Sequence, residues 1–506
     1  MKILPVPLIR EADAFTIANE PISDIDLMER AAGTCFEWLR ERFTTDHPFK
    51  VFCGPGNNGG DGLAISRMLA GEGYRVEVFT LAPEQKMSES CRTNYQRMRA
   101  CRHAGMQELT EGEAFPLLKP SDIVIDVIFG NGLTRPPSGL SAAVIDHINS
   151  SRTTVVSIDV ASGMYTDGHT PNRPDHPVIR ASFTLTFAPP KLAFLFSEND
   201  SFVGDWHLLD IGLDAKFLEN AETKNFLLTR DDVAPLLRKR NKFDHKGRFG
   251  HALLLAGSAG KMGAAVLAAR ACLRSGAGLT TVHVPDSGVA ILQTAVPEAM
   301  LSIDPSEKIL TALPSLQGYS AVSAGPGLGT SPETANAIKR LIQESGRPII
   351  FDADAINILS ENKTWLGFLP EGCIFTPHPK EFERLVGKSQ DDFERNRLQR
   401  EFSFRFRCYM VLKGAHTAIT TPDGRCYFNT TGNPGMATGG SGDVLTGILT
   451  GLLACGYSPL SACLLGVFLH GLAGDLAADR LGHEALVATD IIENLGNSFR
   501  FLYGKL

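Results

Sequence analysis

The amino-acid sequence predicts an α/β protein of two domains, a doubly wound parallel sheet followed by a second and larger α/β domain. Its 506 residues correspond to two large or three ordinary domains at roughly 100–200 residues each. In both halves, short runs rich in Val and Ile alternate with helical patterns, as in parallel strands joined by crossover helices. A polar stretch interrupts this alternation. We therefore predict domains at residues 1–213 and 226–506, joined at 214–225 by a linker without regular structure.

The apolar runs define the individual strands. In the first half they predict strands at residues 50–53, 74–81, 122–128 and 153–160, with helices at 63–70 and 142–148. In the second half they predict strands at 252–256, 278–284, 321–324, 348–352, 373–375 and 408–412, with helices between most of them. The two halves share no visible internal repeat.

Composition narrows the functional class. Hydrophobic residues make up 43% of the chain and charged residues 21%, which is typical of globular proteins. The net charge of -7 disfavours a general affinity for nucleic acid or for an anionic membrane surface. Ten cysteines without CxxC spacing indicate buried, reduced thiols. The N-terminus has too short an apolar stretch for a signal peptide, so we expect a cytoplasmic protein.

One segment is long and apolar enough to suggest a membrane span. Residues 444–469 carry no charge at all. Gly456 and Pro459 interrupt this run with turn chemistry. We therefore predict two buried helices joined by a turn, and no membrane partner.

A glycine-rich loop follows the first predicted strand and opens a helix. Gly54, Gly56 and Gly59 satisfy the spacing G-x-G-x-x-G. The dinucleotide fingerprint also requires an acid at the end of the second strand, and residues 76–80 end without one. Backbone N–H groups at the helix start could still hold an anion. A tight turn without a ligand remains the alternative.

Two further strands of the first half end in acids. Asp126 and Asp159 stand at those ends, and Ser162 follows the second of them. Ligands of open α/β sheets gather at the carboxyl ends of strands, so these groups should converge on one crevice. Asn58, Asp126 and Ser162 could supply oxygens to a hard cation, although each acid alone could equally cap a helix.

The second half carries its chemistry on the turn Gly439, Gly440, Ser441, Gly442. The turn precedes an apolar helix, whose N-terminal N–H groups favour an anion. Asp443 would repel a phosphate there unless its carboxylate has a task, and accepting the proton of an attacking hydroxyl is such a task. A helix-capping aspartate is the alternative.

Other strand ends of the second half carry polar groups. The sequence contains no G-x-x-x-x-G-K-[ST], which excludes a Walker-type loop. Lys413 follows the strand at 408–412 and could meet nucleotide phosphates, although a surface turn is equally compatible. His378 stands between two prolines, and residues 351–357 place two acids and an asparagine at another strand end.

The motifs of the first half resemble the NAD(P)H-hydrate epimerase domain, a Rossmann-like fold. The resemblance covers about residues 5–213 and rests on GPGNNGGDG, on Asp126 with GNGLTRP, and on Asp159 with Ser162 and Gly163. It implies potassium held by Asn58, Asp126 and Ser162, and Asp159 as a substrate contact and the proton-transfer base. It also implies substrate contacts from the two loops: Asn57, Asn58, Gly59, Gly60, Asp61, Gly130, Asn131, Gly132, Leu133, Thr134, Arg135 and Pro136.

The motifs of the second half resemble the ADP-dependent NAD(P)H-hydrate dehydratase domain, which has a ribokinase-like fold. The matching stretches include GPGLG, FDADAIN, TPHPKE, KGAHT and NTTGNPGMATGGSGD, over about residues 225–500. The resemblance implies that Ala264, Gly327, His378 and Asp443 contact the hydrate. It implies that the adenine nucleotide binds at Lys413, Gly414, Ala415, His416, Thr417 and Gly442. Lys380 departs from the glycine found in many relatives.

Together the resemblances imply a fused repair enzyme for hydrated NADH and NADPH. The first half would interconvert the R and S epimers, and the second would dehydrate the S epimer by phosphorylation and phosphate elimination with ADP. Magnesium would accompany the nucleotide, and we expect a homo-oligomer. The sequence does not decide whether ADP or ATP is the phosphate donor. Two alternatives also stay open, a ribokinase-like kinase of a small alcohol and a first half that binds without turnover.

Overall fold

The computed structural model describes residues 1–101 and 104–505, which form two compact units. One unit comprises residues 2–223, and the other comprises Met1 together with residues 224–505. The division between Thr223 and Lys224 falls inside the segment predicted as a linker. All ten cysteines are free, and eight of them are buried.

The N-terminal unit contains a seven-stranded sheet whose strands are all parallel. Their order is β3-β2-β1-β4-β5-β6-β7, with every neighbouring pair parallel. The strands are β1 Phe49–Cys53, β2 Val76–Thr80, β3 Ala104–Glu108, β4 Ile123–Val127, β5 Thr154–Ile158, β6 Phe183–Phe187 and β7 Asp205–Leu209. The helices are α1 Val6–Asn19, α2 Asp24–Arg42, α3 Asn57–Gly71, α4 Glu89–Arg99, α5 Leu140–Asn149, α6 Asp200–Val203 and α7 Ala215–Asn220. The doubly wound prediction is confirmed, and the strand order reverses between β1 and β4, where such folds bind ligands.

The C-terminal unit contains a ten-stranded mixed sheet of order β11-β10-β9-β12-β13-β14-β15-β16-β17-β8. Its neighbours are parallel except around β16, which is antiparallel to both β15 and β17. The strands are β8 Asn225–Leu228, β9 His251–Leu255, β10 Leu279–Pro285, β11 Met300–Asp304, β12 Ala321–Ala324, β13 Ile349–Phe351, β14 Ile374–Phe375, β15 Tyr409–Leu412, β16 Ala418–Thr420 and β17 Cys426–Asn429. The second switch in strand order lies between β9 and β12.

Ten helices accompany this sheet in the described part of the chain. They are α8 Arg230–Val233, α9 Met262–Arg274, α10 Val289–Ala295, α11 Pro332–Glu344, α12 Ala353–Glu361, α13 Pro379–Leu385, α14 Asp392–Arg405, α15 Ser441–Ala454, α16 Pro459–Leu481 and α17 Ala488–Leu502. All six strands predicted for this half are present within one or two residues of the predicted ends.

The prediction that residues 214–225 lack regular structure is wrong. Helix α7 forms there because Asp214 caps it, its Oδ1 accepting a hydrogen bond from the Phe217 amide at 2.9 Å. Phe217 and Leu218 then pack against the apolar residues Leu4 and Ile9. The polar local sequence gave no helix signal, because the few apolar side chains of α7 pack against residues that are distant in the chain.

The uncharged segment 444–469 forms two helices, as predicted. Helix α15 ends at Ala454, Gly456 turns the chain at a φ of 84°, and Ser458 caps α16 by accepting from the Ser461 amide at 3.1 Å. By length and composition α16 could cross a membrane, but 72% of its apolar stretch is buried inside the unit. Both helices contribute to the largest apolar core cluster, so the low charge reflects burial on several sides.

Glycines set the distance between α15 and α9. A Cβ added to Gly447 would lie 2.2 Å from the Ala268 carbonyl oxygen, and one on Gly451 would lie 2.6 Å from the Cys272 carbonyl oxygen. The backbones of the two helices therefore touch at positions where no side chain fits, and this contact fixes the start of α15 over the sheet.

We expect Gly447→Ala to destabilise the C-terminal unit by about 1–3 kcal/mol, because the added methyl group forces the two backbones apart. The matched control is Gly496→Ala in α17, where a Cβ would meet nothing within 4 Å. That change should stabilise by about 0.5–1 kcal/mol, since alanine is the better helix former. The measurement is urea unfolding followed by Trp365 fluorescence, with Trp38 and Trp206 replaced by Phe. Equal effects of both changes would contradict the packing argument.

Candidate functional site

The N-terminal unit holds a cavity of about 660 Å³ at the carboxyl ends of β1, β4 and β5. Seven of the residues predicted from the two loops line it together with Asp159; the seven are Asn57, Asn58, Asp61, Gly130, Asn131, Gly132 and Leu133. Gly59 and Gly60 are buried, whereas Thr134, Arg135 and Pro136 are exposed, and these five do not line the cavity. The predicted strand ends therefore converge at the switch point.

Glycines of the first loop allow the backbone to approach its neighbours. A Cβ on Gly54 would lie 1.9 Å from the Ile128 carbonyl oxygen, and one on Gly59 would lie 1.9 Å from the Gly54 carbonyl oxygen. Helix α3 begins at Asn57 beside the cavity, with Gly56 as its N-cap. The G-x-G-x-x-G spacing thus has a packing cause, and the amides at the start of α3 still face the cavity.

Asn58, Asp126 and Ser162 come together around the carbonyl of Phe129. Asp126 is fully buried, and its carboxylate accepts from the Ser162 hydroxyl at 2.5 Å and from the Ser162 amide at 2.9 Å. Asn58 donates its Nδ2 to the Phe129 carbonyl at 2.9 Å, and Ser162 Oγ lies 3.3 Å from the same carbonyl. Burial raises the pKa of Asp126 despite these hydrogen bonds.

One oxygen in this cluster has no partner. Asn58 Oδ1 is buried and accepts no hydrogen bond in the described part of the chain. A buried acceptor without a partner is costly and calls for a ligand. Carboxylate, amide, hydroxyl and carbonyl oxygens together are the donor set that a hard cation prefers, so these residues fit a cation such as potassium.

Asp159 is held in place by a buried lysine. Lys191, 2% exposed, places Nζ 2.7 Å from Asp159 Oδ1 and donates to the Phe187 carbonyl at 2.8 Å. The Asn131 amide donates to Asp159 Oδ2 at 3.2 Å. The Asp159 backbone has a φ of 64°, unusual for a residue with a side chain. These contacts fix the position of the Asp159 carboxylate at the wall of the cavity.

Sequence reasoning missed four residues of this cavity: Arg10, Asp13, Asp24 and Lys191. Arg10 and Asp13 lie three residues apart on α1, which places them on one face of that helix. They belong to no motif. Arg10 and Asp13 could have been found by their position in a helix whose other face, with Ile9, Ala12 and Thr16, is buried.

In the C-terminal unit the glycine-rich turn leads into α15. Gly440 is the N-cap, with a φ of 90°, and Asp443 lies in the first turn. His470 is half-buried, its Nε2 donates to the Ser441 carbonyl at 3.0 Å, and burial lowers its pKa to about 4. A neutral imidazole thus fixes the turn. The capping alternative for Asp443 is wrong, because Gly440 occupies the N-cap position.

A buried carboxylate beneath this turn ties three strand ends to α15. Asp352, 1% exposed, accepts from Thr376 Oγ1 at 2.8 Å and from Thr446 Oγ1 at 2.7 Å. Lys413 Nζ completes the set at 3.0 Å. The same Nζ would lie 3.2 Å from a Cβ on Gly442, so the lysine reaches the glycine-rich turn. The sequence placed Asp352 in a motif but assigned it no role.

Asp443 is half-buried in a field of other carboxylates. Burial, together with the negative charges of Asp352, Asp354 and Glu381, raises its pKa to about 7, against the lowering effect of Lys413. A carboxyl group with a pKa near neutrality can accept and release a proton under physiological conditions. Gly439 at the turn is exposed, so the turn opens to the surface.

The side chain of His378 caps helix α13 by accepting hydrogen bonds from backbone amides. Its Nδ1 accepts from the amides of Lys380 at 3.1 Å and Glu381 at 3.4 Å, and Nε2 lies 3.3 Å from Glu381 Oε1. Burial and the charges of Lys413 and Arg384 lower the pKa of His378, against Glu381. Lys380 contributes its backbone amide to this cap, and its side chain is exposed.

The remaining predicted residues lie at the start of α9 and in the loops after β12 and β15. A Cβ on Gly327, at a φ of 65°, would lie 3.1 Å from the Ala264 Cβ, so these two predicted pocket residues touch. In the turn after β15, Thr417 Oγ1 donates to the Gly414 carbonyl at 3.0 Å, and His416 Nδ1 lies 3.2 Å from the Asn429 carbonyl oxygen. Gly414 and Ala415 are exposed. The ligands of these residues remain predictions.

Comparison with known proteins identifies both halves. Residues 24–193 match the family described as YjeF-related protein N-terminus, and residues 252–497 match the family described as NAD(P)H-hydrate dehydratase. Bifunctional NAD(P)H-hydrate repair enzymes are similar over nearly the whole chain. The protein of Moorella thermoacetica is 36% identical over 96% of this chain and 94% of its own length. The protein of Coxiella burnetii is 34% identical over 96% of this chain and 97% of its own length.

A solved structure supports the fold of the second half. The ADP/ATP-dependent NAD(P)H-hydrate dehydratase of Bacillus subtilis, co-crystallised with ATP and Mg²⁺, is 31% identical over 55% of this chain and 98% of its own, with a TM-score of 0.50. The predicted ribokinase-like architecture is confirmed.

We expect Lys191→Met to destabilise the N-terminal unit by about 3–5 kcal/mol, because it leaves the Asp159 charge buried without a partner. The double change Asp159→Asn with Lys191→Met removes both charges and should recover part of this loss. The measurement is urea unfolding followed by Trp38 and Trp206 fluorescence in a Trp365→Phe background. Exposed Lys86→Met is the control, and a Lys191→Met effect as small as that of the control would argue against a structural ion pair.

Proposed function

The chain belongs to the family of bifunctional NAD(P)H-hydrate repair enzymes, and from that premise we propose how its two sites carry out the two reactions. The N-terminal half interconverts the R and S epimers of hydrated NADH and NADPH. The C-terminal half dehydrates the S epimer with a nucleotide. The observation that carries the dehydratase proposal is the Asp443 carboxyl group in the first turn of α15, beside Lys413 and the open glycine-rich turn.

Phosphoryl transfer starts at Asp443. Its carboxylate accepts the proton of the hydroxyl on C6 of the hydrated nicotinamide ring while the oxygen attacks the terminal phosphorus of ADP. The bond from that phosphorus to its bridging oxygen breaks, and AMP leaves. The C6–O bond then breaks with its electron pair on phosphate, and loss of a proton from C5 restores the double bond of NADH or NADPH.

The glycine-rich turn and Lys413 would hold the transferred phosphate. Amides at the start of α15 and the Lys413 ammonium are both donors for phosphate oxygens. We place the rest of the nucleotide along Gly414, Ala415, His416 and Thr417, where exposed backbone offers further donors. Ala264, Gly327 and His378 are proposed to contact the hydrate.

Magnesium would be held by the nucleotide and would neutralise charge on the phosphates. The Asp352 carboxylate is not available as a magnesium ligand, because its oxygens already accept from Thr376, Thr446 and Lys413. This arrangement fits a cation carried by the substrate more than one caged by protein.

In the epimerase half we propose Asp159 as a proton-transfer residue and Asn58, Asp126 and Ser162 as potassium ligands. The unpartnered Asn58 oxygen supports the cation, and the ion pair with Lys191 fixes the position of the Asp159 carboxylate. Potassium would bind and orient oxygen atoms of the substrate next to Asp159. A homo-oligomeric state and a cytoplasmic location also stay predictions.

We expect Asp443→Asn to lower dehydration by about 10²–10⁴-fold, the usual effect of removing one general base. Wild-type dehydration should rise as the pH passes through about 7, because the raised pKa keeps Asp443 protonated, and unable to accept a proton, below that value. The assay incubates S hydrate with ADP or ATP, with and without magnesium, and follows the absorbance of the reduced nicotinamide. Epimerisation serves as the internal control. Loss of both activities together would indicate misfolding, and failure of the wild type to restore NADH would reject the proposed function.

Potassium should stabilise the N-terminal unit, by about 2.7 kcal/mol at a hundredfold excess over its dissociation constant. Choline chloride at equal ionic strength is the control salt. The measurement is thermal unfolding of the wild type and of Asn58→Ala, which lacks the unpartnered oxygen. A similar potassium effect in both proteins would remove Asn58 from the site.

A further inference from the structure

The epimerase cavity contains more carboxyl groups than its proposed chemistry uses. Four of them line it, those of Asp13, Asp24, Asp61 and Asp159, against one buried lysine. Lys191 lies within ion-pair distance of Asp159. The other three carboxyl groups therefore lie close to negative charge without a lysine of their own.

Asp13, like Asp61 in the same cavity, carries a carboxyl group without a hydrogen bond or an ion pair in the described part of the chain. It lies on α1, where Ala12 and Thr16 are buried and hold the helix in place. Within residues 1–101 and 104–505, its carboxylate has no hydrogen bond and no ion pair. Asp24, by contrast, accepts a hydrogen bond from the Ser90 hydroxyl. The Asp13 side chain is thus available to contact the hydrated nicotinamide ring of a bound substrate.

The electrostatic surroundings of Asp13 favour reversible protonation. Burial and the charges of Asp159 and Asp24 raise its pKa to about 6, while Lys191 lowers it. Asp61 and the Arg10 guanidinium, which lies on the same helix, line the same cavity. Burial and the surrounding carboxylates raise the pKa of Asp61 well above its usual range.

Inversion at C6 requires two proton transfers. A proton must reach the C6 hydroxyl so that the C–O bond breaks with its electron pair on oxygen, releasing water and leaving a double bond between C6 and N1. Water must then add to the opposite face of C6 and give a proton to a base. In the reverse direction the two groups exchange roles, so each must both donate and accept.

We propose that Asp13 is a second catalytic residue of the epimerase and exchanges protons at C6 in partnership with Asp159. The proposal rests on the proposed epimerase function. The two carboxyl groups come from different elements, α1 and the end of β5, and share one cavity. Lys191 and the Asn131 amide hold the Asp159 carboxylate in position, whereas Asp13 has no such partner in the described part of the chain.

The test uses the full chain and a purified R epimer, with formation of the S epimer followed by chromatography. Asp13→Asn should lower epimerisation by about 10²–10⁴-fold while dehydration of the S epimer in the same sample is unchanged. Glu11→Gln, an exposed acid on the same helix, should change neither activity. Asp13→Glu should recover part of the epimerisation.

A pH profile separates a catalytic role from a structural one. Wild-type kcat/KM for epimerisation should fall as the pH rises through about 6, because Asp13 then loses the proton that it donates. The residual epimerase activity of Asp13→Asn should not show this fall above a pH of about 6. Epimerisation at the wild-type rate in Asp13→Asn, or a loss in Asp61→Asn alone, would overturn the proposal. Absence of epimerisation in the wild type would instead reject the epimerase function itself.

Discussion

The buried carboxylate of Asp352 is the interaction on which the C-terminal site depends. It accepts from Lys413 after β15, from Thr376 after β14 and from Thr446 in α15. One charge thus ties two further strand ends and the helix that carries the glycine-rich turn to its own strand, β13. Because removal of a single partner from such a set leaves an uncompensated charge, these elements hold one arrangement.

The N-terminal site meets the same constraint with different residues. Parallel strands bring their carboxyl ends to one edge of a sheet, and polar loops collect there. Carboxylates that converge in this way repel one another unless a cation is present. Lys191 supplies that cation beside Asp159, as Lys413 does beside Asp352. Each cluster therefore contains one lysine-paired carboxylate whose position is fixed.

Burial, reinforced by the neighbouring carboxylates, raises the pKa of one carboxyl group in each site. Asp443 in one unit and Asp13 in the other are partly buried near a lysine-paired aspartate, and both have raised pKa values. Neither has a hydrogen-bond partner of its own in the described part of the chain. Asp443 and Asp13, whose raised pKa values lie near neutrality, thus stand next to carboxylates held by lysine, an arrangement suited to acid–base chemistry.

Much of the architecture follows from local sequence. The period of the apolar runs predicted ten of the seventeen described strands, and glycine turns at strand ends predicted where the loops collect. The helix at 215–220 was not predictable from its polar sequence, because its stability comes from Asp214 and from apolar contacts with Leu4 and Ile9. Most residues of the two loop motifs line the N-terminal cavity, whereas Arg10, Asp13, Asp24 and Lys191 carried no motif to reveal them.

The sequence by itself determined the two α/β units, the family, and the identity of the residues at the strand ends, since all of these depend on local pattern and motif. Only the tertiary structure decided which lysine neutralises which aspartate, which oxygen of Asn58 is left without a partner, and which carboxyl groups hold protons. These properties depend on distances and burial among residues far apart in the chain, and linear order does not encode them directly.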